Sequence, residues 1–131
     1  MISNCLAIAV VNDLGIKYIN KKASYIIIKE KGVILVHDCL PKKIWNQIVP
    51  RLYGHWNGDV WKAIVHSRTY EYADTYTCKV DHGLGVIFKR NNRNLLKLND
   101  KSFKNLKFSE YYYHHNEYMN IINSEELSKI F

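Results

Sequence analysis

The sequence predicts an α/β fold on three observations. Two short apolar runs, residues 6–12 and 33–37, bracket a segment with helical periodicity. A second helical segment then leads into two short strands joined by a turn signal. The tail carries helical patterning and no further strand. With 131 residues, 47% hydrophobic and 24% charged, the chain has the size and composition of one globular domain spanning 1–131. No internal repeat and no linker divides it.

Residues 6–12 end in the polar pair Asn12-Asp13 and read as a buried strand. From 16 to 30, Ile16, Ile19, Ala23, Ile26 and Ile27 recur at helical spacing, with Lys17, Lys21, Lys22 and Lys29 on the other faces. Lys31-Gly32 ends that helix, because glycine turns easily through positive φ. Residues 33–37 form a continuous apolar run, the pattern of a parallel strand covered on both faces. Strand, helix and strand make a βαβ unit with its two strands parallel and adjacent.

A long connection from 39 to 57 is broken by Pro41, Pro50 and Gly54. The next helix starts near Gly58-Asp59, with Asn57 or Asp59 as its cap and Val60, Trp61, Ile64 and Val65 as its apolar face. Residues 75–80 and 85–89 are strands of a hairpin turned by Asp81-His82-Gly83-Leu84. A helix is expected over about 110–122. A short one follows Ser124, whose hydroxyl suits an N-cap with Glu125 and Glu126 in the first turn.

The formal charge is +7 and unevenly spread. Lys89, Arg90, Arg93, Lys97, Lys101, Lys104 and Lys107 face the single acid Asp100 in their stretch. Such a stripe suits phosphates or an acidic partner, but a chain so rich in Lys, Asn, Ile and Tyr also produces solvated basic loops by composition alone. Nucleic acid is therefore disfavoured as a partner. Cys5, Cys39 and Cys78 form no C-x-x-C pair and read as reduced thiols. The longest apolar run, residues 5–11, is far too short to cross a bilayer and makes a poor leader, so no membrane partner and a cytoplasmic location are expected.

Ligands of open α/β sheets bind beyond the carboxyl ends of parallel strands. Asp13 and Asp38 fall there, one after each predicted strand. Neighbouring strand ends lie about 4.8 Å apart, so two carboxylates there repel unless a cation or shared proton intervenes. Mg²⁺ suits such a pair, making Asp13 and Asp38 candidate metal ligands, while simple turn capping explains each Asp equally well. His37-Asp38-Cys39 holds the residue types of a reactive site, and His37 and Asp38 are the candidate catalytic residues. His114, His115 and Glu117 place imidazole and carboxylate on one helix, a pattern that also fits an exposed polar face. Gly83-x-Gly85 sits in a hairpin and opens no helix, so it lacks the context of a phosphate loop. Trp45, Trp56, Trp61 and the run Tyr111-Tyr112-Tyr113 suit either stacking on a ligand or packing.

Three blocks carry a family resemblance: Gly32-Val33-Ile34-Leu35-Val36-His37-Asp38-Cys39-Leu40-Pro41, then Trp56-Asn57-Gly58-Asp59-Val60-Trp61-Lys62-Ala63, then Asp81-His82-Gly83-Leu84-Gly85-Val86-Ile87. In this order they resemble the C-terminal half of bacterial class I S-adenosylmethionine-dependent methyltransferase-like proteins of the surface-glycan and small-molecule O-methyltransferase type. The tail, 108–131, is also similar.

The resemblance implies a partial Rossmann-like methyltransferase sheet. Residues 6–12 would be the family's fourth strand and 33–37 its fifth, with the hairpin as antiparallel edge. It further implies Mg²⁺ on Asp13 and Asp38, although Cys39 stands where the family has Asn or Asp. S-adenosylmethionine is implied as cofactor, yet no counterpart of the family's first three strands, with their Gly-rich cofactor loop, precedes Met1. The resulting expectation is the substrate and metal side of an O-methyltransferase acting on a glycan or small-molecule hydroxyl, with turnover dependent on a second chain. The alternatives are a non-catalytic interaction module pairing with a second chain or copy through its exposed first strand, or a basic phosphate or nucleic-acid binder using Lys89 to Lys107.

Overall fold

The computed structural model describes residues 8–12, 15–18, 32–48, 51, 54–99 and 101–131. Among the described residues six strands form one sheet: β1 (Ile8–Asn12), β2 (Gly15–Tyr18), β3 (Val33–Val36), β4 (Ala73–Cys78), β5 (Leu84–Lys89) and β6 (Ile121–Ile122). Their order across the sheet is β2-β1-β3-β5-β4-β6. Four α-helices accompany them among the described residues: α1 (Ile44–Gln47), α2 (Val60–Arg68), α3 (Phe108–Met119) and α4 (Ser124–Ile130). The protein is α/β, a mixed sheet with one parallel pair, an antiparallel hairpin and flanking helices.

The parallel pair is β4 with β6, not the first two strands. β1 pairs antiparallel with β3, Ile8 opposite Val36 and Val11 opposite Val33. The expected parallel βαβ unit is thus corrected. Residues 16–18, read as the start of a helix, lie in β2, where Asn12 pairs with Gly15. Pairing across so short a separation is possible only between antiparallel strands. The rest of the expected helix, 19–30, lies outside the described residues. β1 is flanked by β2 and β3, so it is not the open edge the interaction reading needed.

On the other side of β3, the hairpin folds as expected. β5 lies between β3 and β4, antiparallel to both, so β3 and β4 run in the same direction. Alternation along the strands separates two apolar faces. On one face Ile34, Val36, Ala73 and Ile87 pack with Trp61, Ile64 and Val65 of α2 and with Tyr111 and Met119 of α3. On the other, Val33, Tyr76, Val86 and Phe88 meet Leu127 and Ile130 of α4. Helices therefore cover both faces of this half of the sheet.

Helix ends are fixed locally. Asn123, not Ser124, caps α4: its side chain accepts from Glu126 N at 2.8 Å, and Glu126 returns the bond to Asn123 N. At α2 the Asp59 carboxylate makes no capping bond. Asn120 ends α3 at φ 47°, and its carbonyl and amide bind Thr77 N and Thr75 O of β4. That stitch sets β6 alongside β4. No helix among the described residues is long and apolar enough to cross a membrane.

Three of the seven basic residues of the stretch, Arg90, Arg93 and Lys101, meet acids. Asp74, fully buried, accepts from Arg90 Nε at 2.7 Å and lies 3.8 Å from Arg93 Nε. Lys101 pairs with Glu110 at 2.7 Å.

Candidate functional site

Sheet register builds the site. Val36 lies opposite Gly85 and Cys78 opposite Leu84, so the chain leaving β3 runs beside the β4–β5 turn. Cys39 N donates to Gly83 O at 3.0 Å and Leu40 N to His82 O at 2.9 Å. Two glycines permit this approach. A Cβ on Gly83, whose φ is +92°, would lie 2.6 Å from Leu40 N, and one on Gly85 would lie 2.5 Å from Ile64 Cδ1 and 3.0 Å from Cys39 Sγ. The Gly-x-Gly pair therefore serves close packing, consistent with its unsuitability as a phosphate loop.

The second block is anchored by α1. Asn46 Nδ2 donates to His55 O at 2.8 Å, and Asn46 O accepts from Asn57 N and Gly58 N. This fixes the loop that stacks His55 on His82, ring centroids 3.8 Å apart. The first and third blocks, well separated in the chain, thus meet at one rim, with His55, just ahead of the second block, stacked against it.

That rim is a cluster of imidazoles and carboxylates. His37 Nε2 is 3.0 Å from Asp81 Oδ2, and His37 Nδ1 is 3.1 Å from Asp38 Oδ1. His82 Nε2 lies 3.4 Å from Asp81 Oδ1. The hydrogen bond to Asp81 raises the His37 pKa most, burial opposes it, and the Asp38 charge adds to the rise. The same bond holds Asp81 below the usual carboxylate range. Asp38 and Asp81 adopt positive φ, 60° and 50°, a conformation Asp tolerates better than most residues.

An adjoining cleft of about 430 Å³ shares Asp81. Leu40, Pro41 and Lys42 line it from the segment after β3, Lys79 from the end of β4, and Tyr111, Tyr112 and His115 from α3. Burial pushes the Tyr111 hydroxyl pKa up, so it stays protonated as a donor. His115 Nδ1 is 2.9 Å from Tyr112 O. A carbonyl only accepts, so Nδ1 carries the hydrogen and Nε2 presents its lone pair in the neutral ring. No family model, curated protein or solved structure matches the chain.

Of the sequence-predicted residues, His37 and Asp38 sit together at the rim, whereas Asp13 lies outside the described residues. β1 runs against β3, so Asn12 stands beyond the Val33 end, opposite the end that leads to Asp38. Asp38 has His37 as its close partner, and no group of three potential metal ligands exists among the described residues. Cys39 is buried, its thiol donating to Val36 O at 3.1 Å. This arrangement does not fit Mg²⁺. His37 also fits poorly as a free base, since both ring nitrogens face carboxylates.

Asp81 as the partner of His37, His82 beside Asp81, His55 stacked on His82, and the cleft itself were not legible in the sequence. One signal was present: His37-Asp38 and Asp81-His82 place the same two residue types where β3 and the hairpin turn. His115 was noted but had no partner in sequence.

Proposed function

We propose that the chain is methyltransferase-related and forms the acceptor side of an S-adenosylmethionine-dependent O-methyltransferase-type domain, taking a glycan or small-molecule hydroxyl in the cleft. The meeting of the first and third resemblance blocks at the rim beside the cleft carries this reading, with the start of the second block held next to it by Asn46. Tyr111 and Tyr112 offer faces for a ring, and His115 Nε2 accepts the hydroxyl hydrogen bond. The His37–Asp81 pair is a positioning element that holds the turn and its Asp81 at the cleft.

Among the described residues no Gly-rich turn opens a helix, so none is assigned to the cofactor. S-adenosylmethionine would be held by a complementary polypeptide, and no step is routed through it or through Mg²⁺.

The test is transfer of labelled methyl from S-adenosylmethionine to hydroxylated acceptors by the chain isolated from its native cells with the polypeptides that accompany it, beside calorimetry of the purified chain with the same acceptors. Label reaching an acceptor hydroxyl in the accompanied chain, with transfer reduced in His115→Gln, is the expected result. No label from the accompanied chain, together with no acceptor binding by the purified one, would overturn the reading.

A further inference from the structure

The cleft's charges do not balance. Lys42 and Lys79 reach it from two separate segments, and neither takes part in any ion pair among the described residues. Among the described lining residues the one acid is Asp81, which is hydrogen-bonded to His37 at 3.0 Å and lies 3.4 Å from His82 Nε2. Two lysines and an imidazole thus line a concavity whose one described carboxylate is already engaged. Convergent like charges in a cleft raise the local potential and attract an anion.

The remaining lining is of another kind. Leu40, Pro41 and Ile121 are apolar, and Tyr111 and Tyr112 add aromatic surface. Tyr111 is 4% exposed and forms a fixed wall, whereas Tyr112 is 57% exposed and stands open. Apolar and aromatic walls with a few polar groups are the composition of a small-molecule site, and about 430 Å³ accommodates a single ring with its substituents.

We infer that the cleft binds a small ring-bearing carboxylate with a free hydroxyl: the carboxylate between Lys42 and Lys79, the ring against Tyr111 and Tyr112, and the hydroxyl at His115 Nε2. A hexuronic acid and a phenolic acid share this chemistry. The assignment deepens the acceptor reading and rests on the cleft being the ligand site, but binding is measured without methyl transfer, so either can fail alone.

The experiment titrates glucuronate and 4-hydroxybenzoate against the whole chain, with methyl glucoside and phenol as neutral counterparts, by calorimetry at low and moderate salt. One anion binds about 10-fold or more tightly than its neutral counterpart, with affinity falling as salt rises. Lys42→Gln and Lys79→Gln each remove most of that advantage. Both side chains are exposed, and circular dichroism confirms that the variants fold. Whichever acid binds identifies the source of the carboxylate. Equal affinity for acid and neutral counterpart, insensitivity to both lysine substitutions, or no binding by any of the four compounds overturns the assignment.

Discussion

His37 and Asp81 are 44 residues apart in the chain and 3.0 Å apart in space, Nε2 against Oδ2. The contact ties the end of β3 to the turn of the β4–β5 hairpin, and Asp81 in turn lines the cleft. A local electrostatic pair therefore helps set the shape of the ligand site. Sheet register brings the two segments together, the glycines let them touch, and the charges fix their side chains.

The pair has a definite pH window. His37 is raised above its ordinary value of 6.5, so its contribution is complete below 6.5 and is lost as pH climbs through the folded value. Asp81 is lowered from 3.8, so its contribution is complete above 3.8 and is lost as pH falls through the folded value. Between 3.8 and 6.5 both are present. Proton NMR of the His37 ring should give a midpoint above 6.5 that moves down in Asp81→Asn. Removing Asp38 as well should bring it to 6.5 or below, because only burial then acts. A midpoint indifferent to both substitutions would refute the coupling.

Gly85 is required by packing. An added methyl would lie 2.5 Å from Ile64 Cδ1 and 3.0 Å from Cys39 Sγ, both in the core. Gly85→Ala should cost about 1–3 kcal/mol in urea unfolding, the usual range for overpacking a filled core. Ile64→Val in the same chain should recover part of the loss by removing the nearest carbon. An unchanged midpoint in Gly85→Ala would show that α2 does not press on β5 here.

The apolar runs and helical spacings marked β3, α2, the hairpin and the tail helices, because burial on one or both faces leaves a direct trace in sequence. The direction of β1 left no such trace, since an apolar run reads the same beside a parallel or antiparallel neighbour. Ile16, Lys17 and Tyr18 alternate as a strand would and also satisfy the first turn of a helix. β6 is two residues long and depends on Asn120 turning through positive φ to meet β4. His37 and Asp38 were legible as a strand end. The partner of His37, Asp81, with its neighbour His82 and the stacked His55, is set by register and by Asn46, which are tertiary facts.

Arg68 is 1% exposed, and its guanidinium donates to the carbonyls of Asn94 and Glu117. It joins α2 to the loop after β5 and to α3, the helix that carries Tyr111 and His115. Burial lowers its pKa, while the Glu117 charge opposes the shift. Arg68→Met keeps much of the volume but deprives two carbonyls of this donor, and should cost about 3 kcal/mol. Lysine, lacking the planar fork, should restore only part of it. Urea denaturation of both variants measures this, and a loss within 0.5 kcal/mol of zero, about the level of an ordinary surface change, would exclude the staple role.

Asp38 gives the sharpest test of the metal expectation. A two-carboxylate Mg²⁺ site filled at 100 times its dissociation constant would add about 2.7 kcal/mol to the folded state. In a domain of this size, that stabilisation would raise Tm by several degrees. With Asp38 paired to His37 and β1 running against β3, no such rise is expected across millimolar Mg²⁺. Asp38→Asn should instead act through His37, lowering its NMR midpoint while leaving the Mg²⁺ response flat. A saturable rise in Tm that Asp38→Asn abolishes would restore the metal reading and require a second carboxylate beside it.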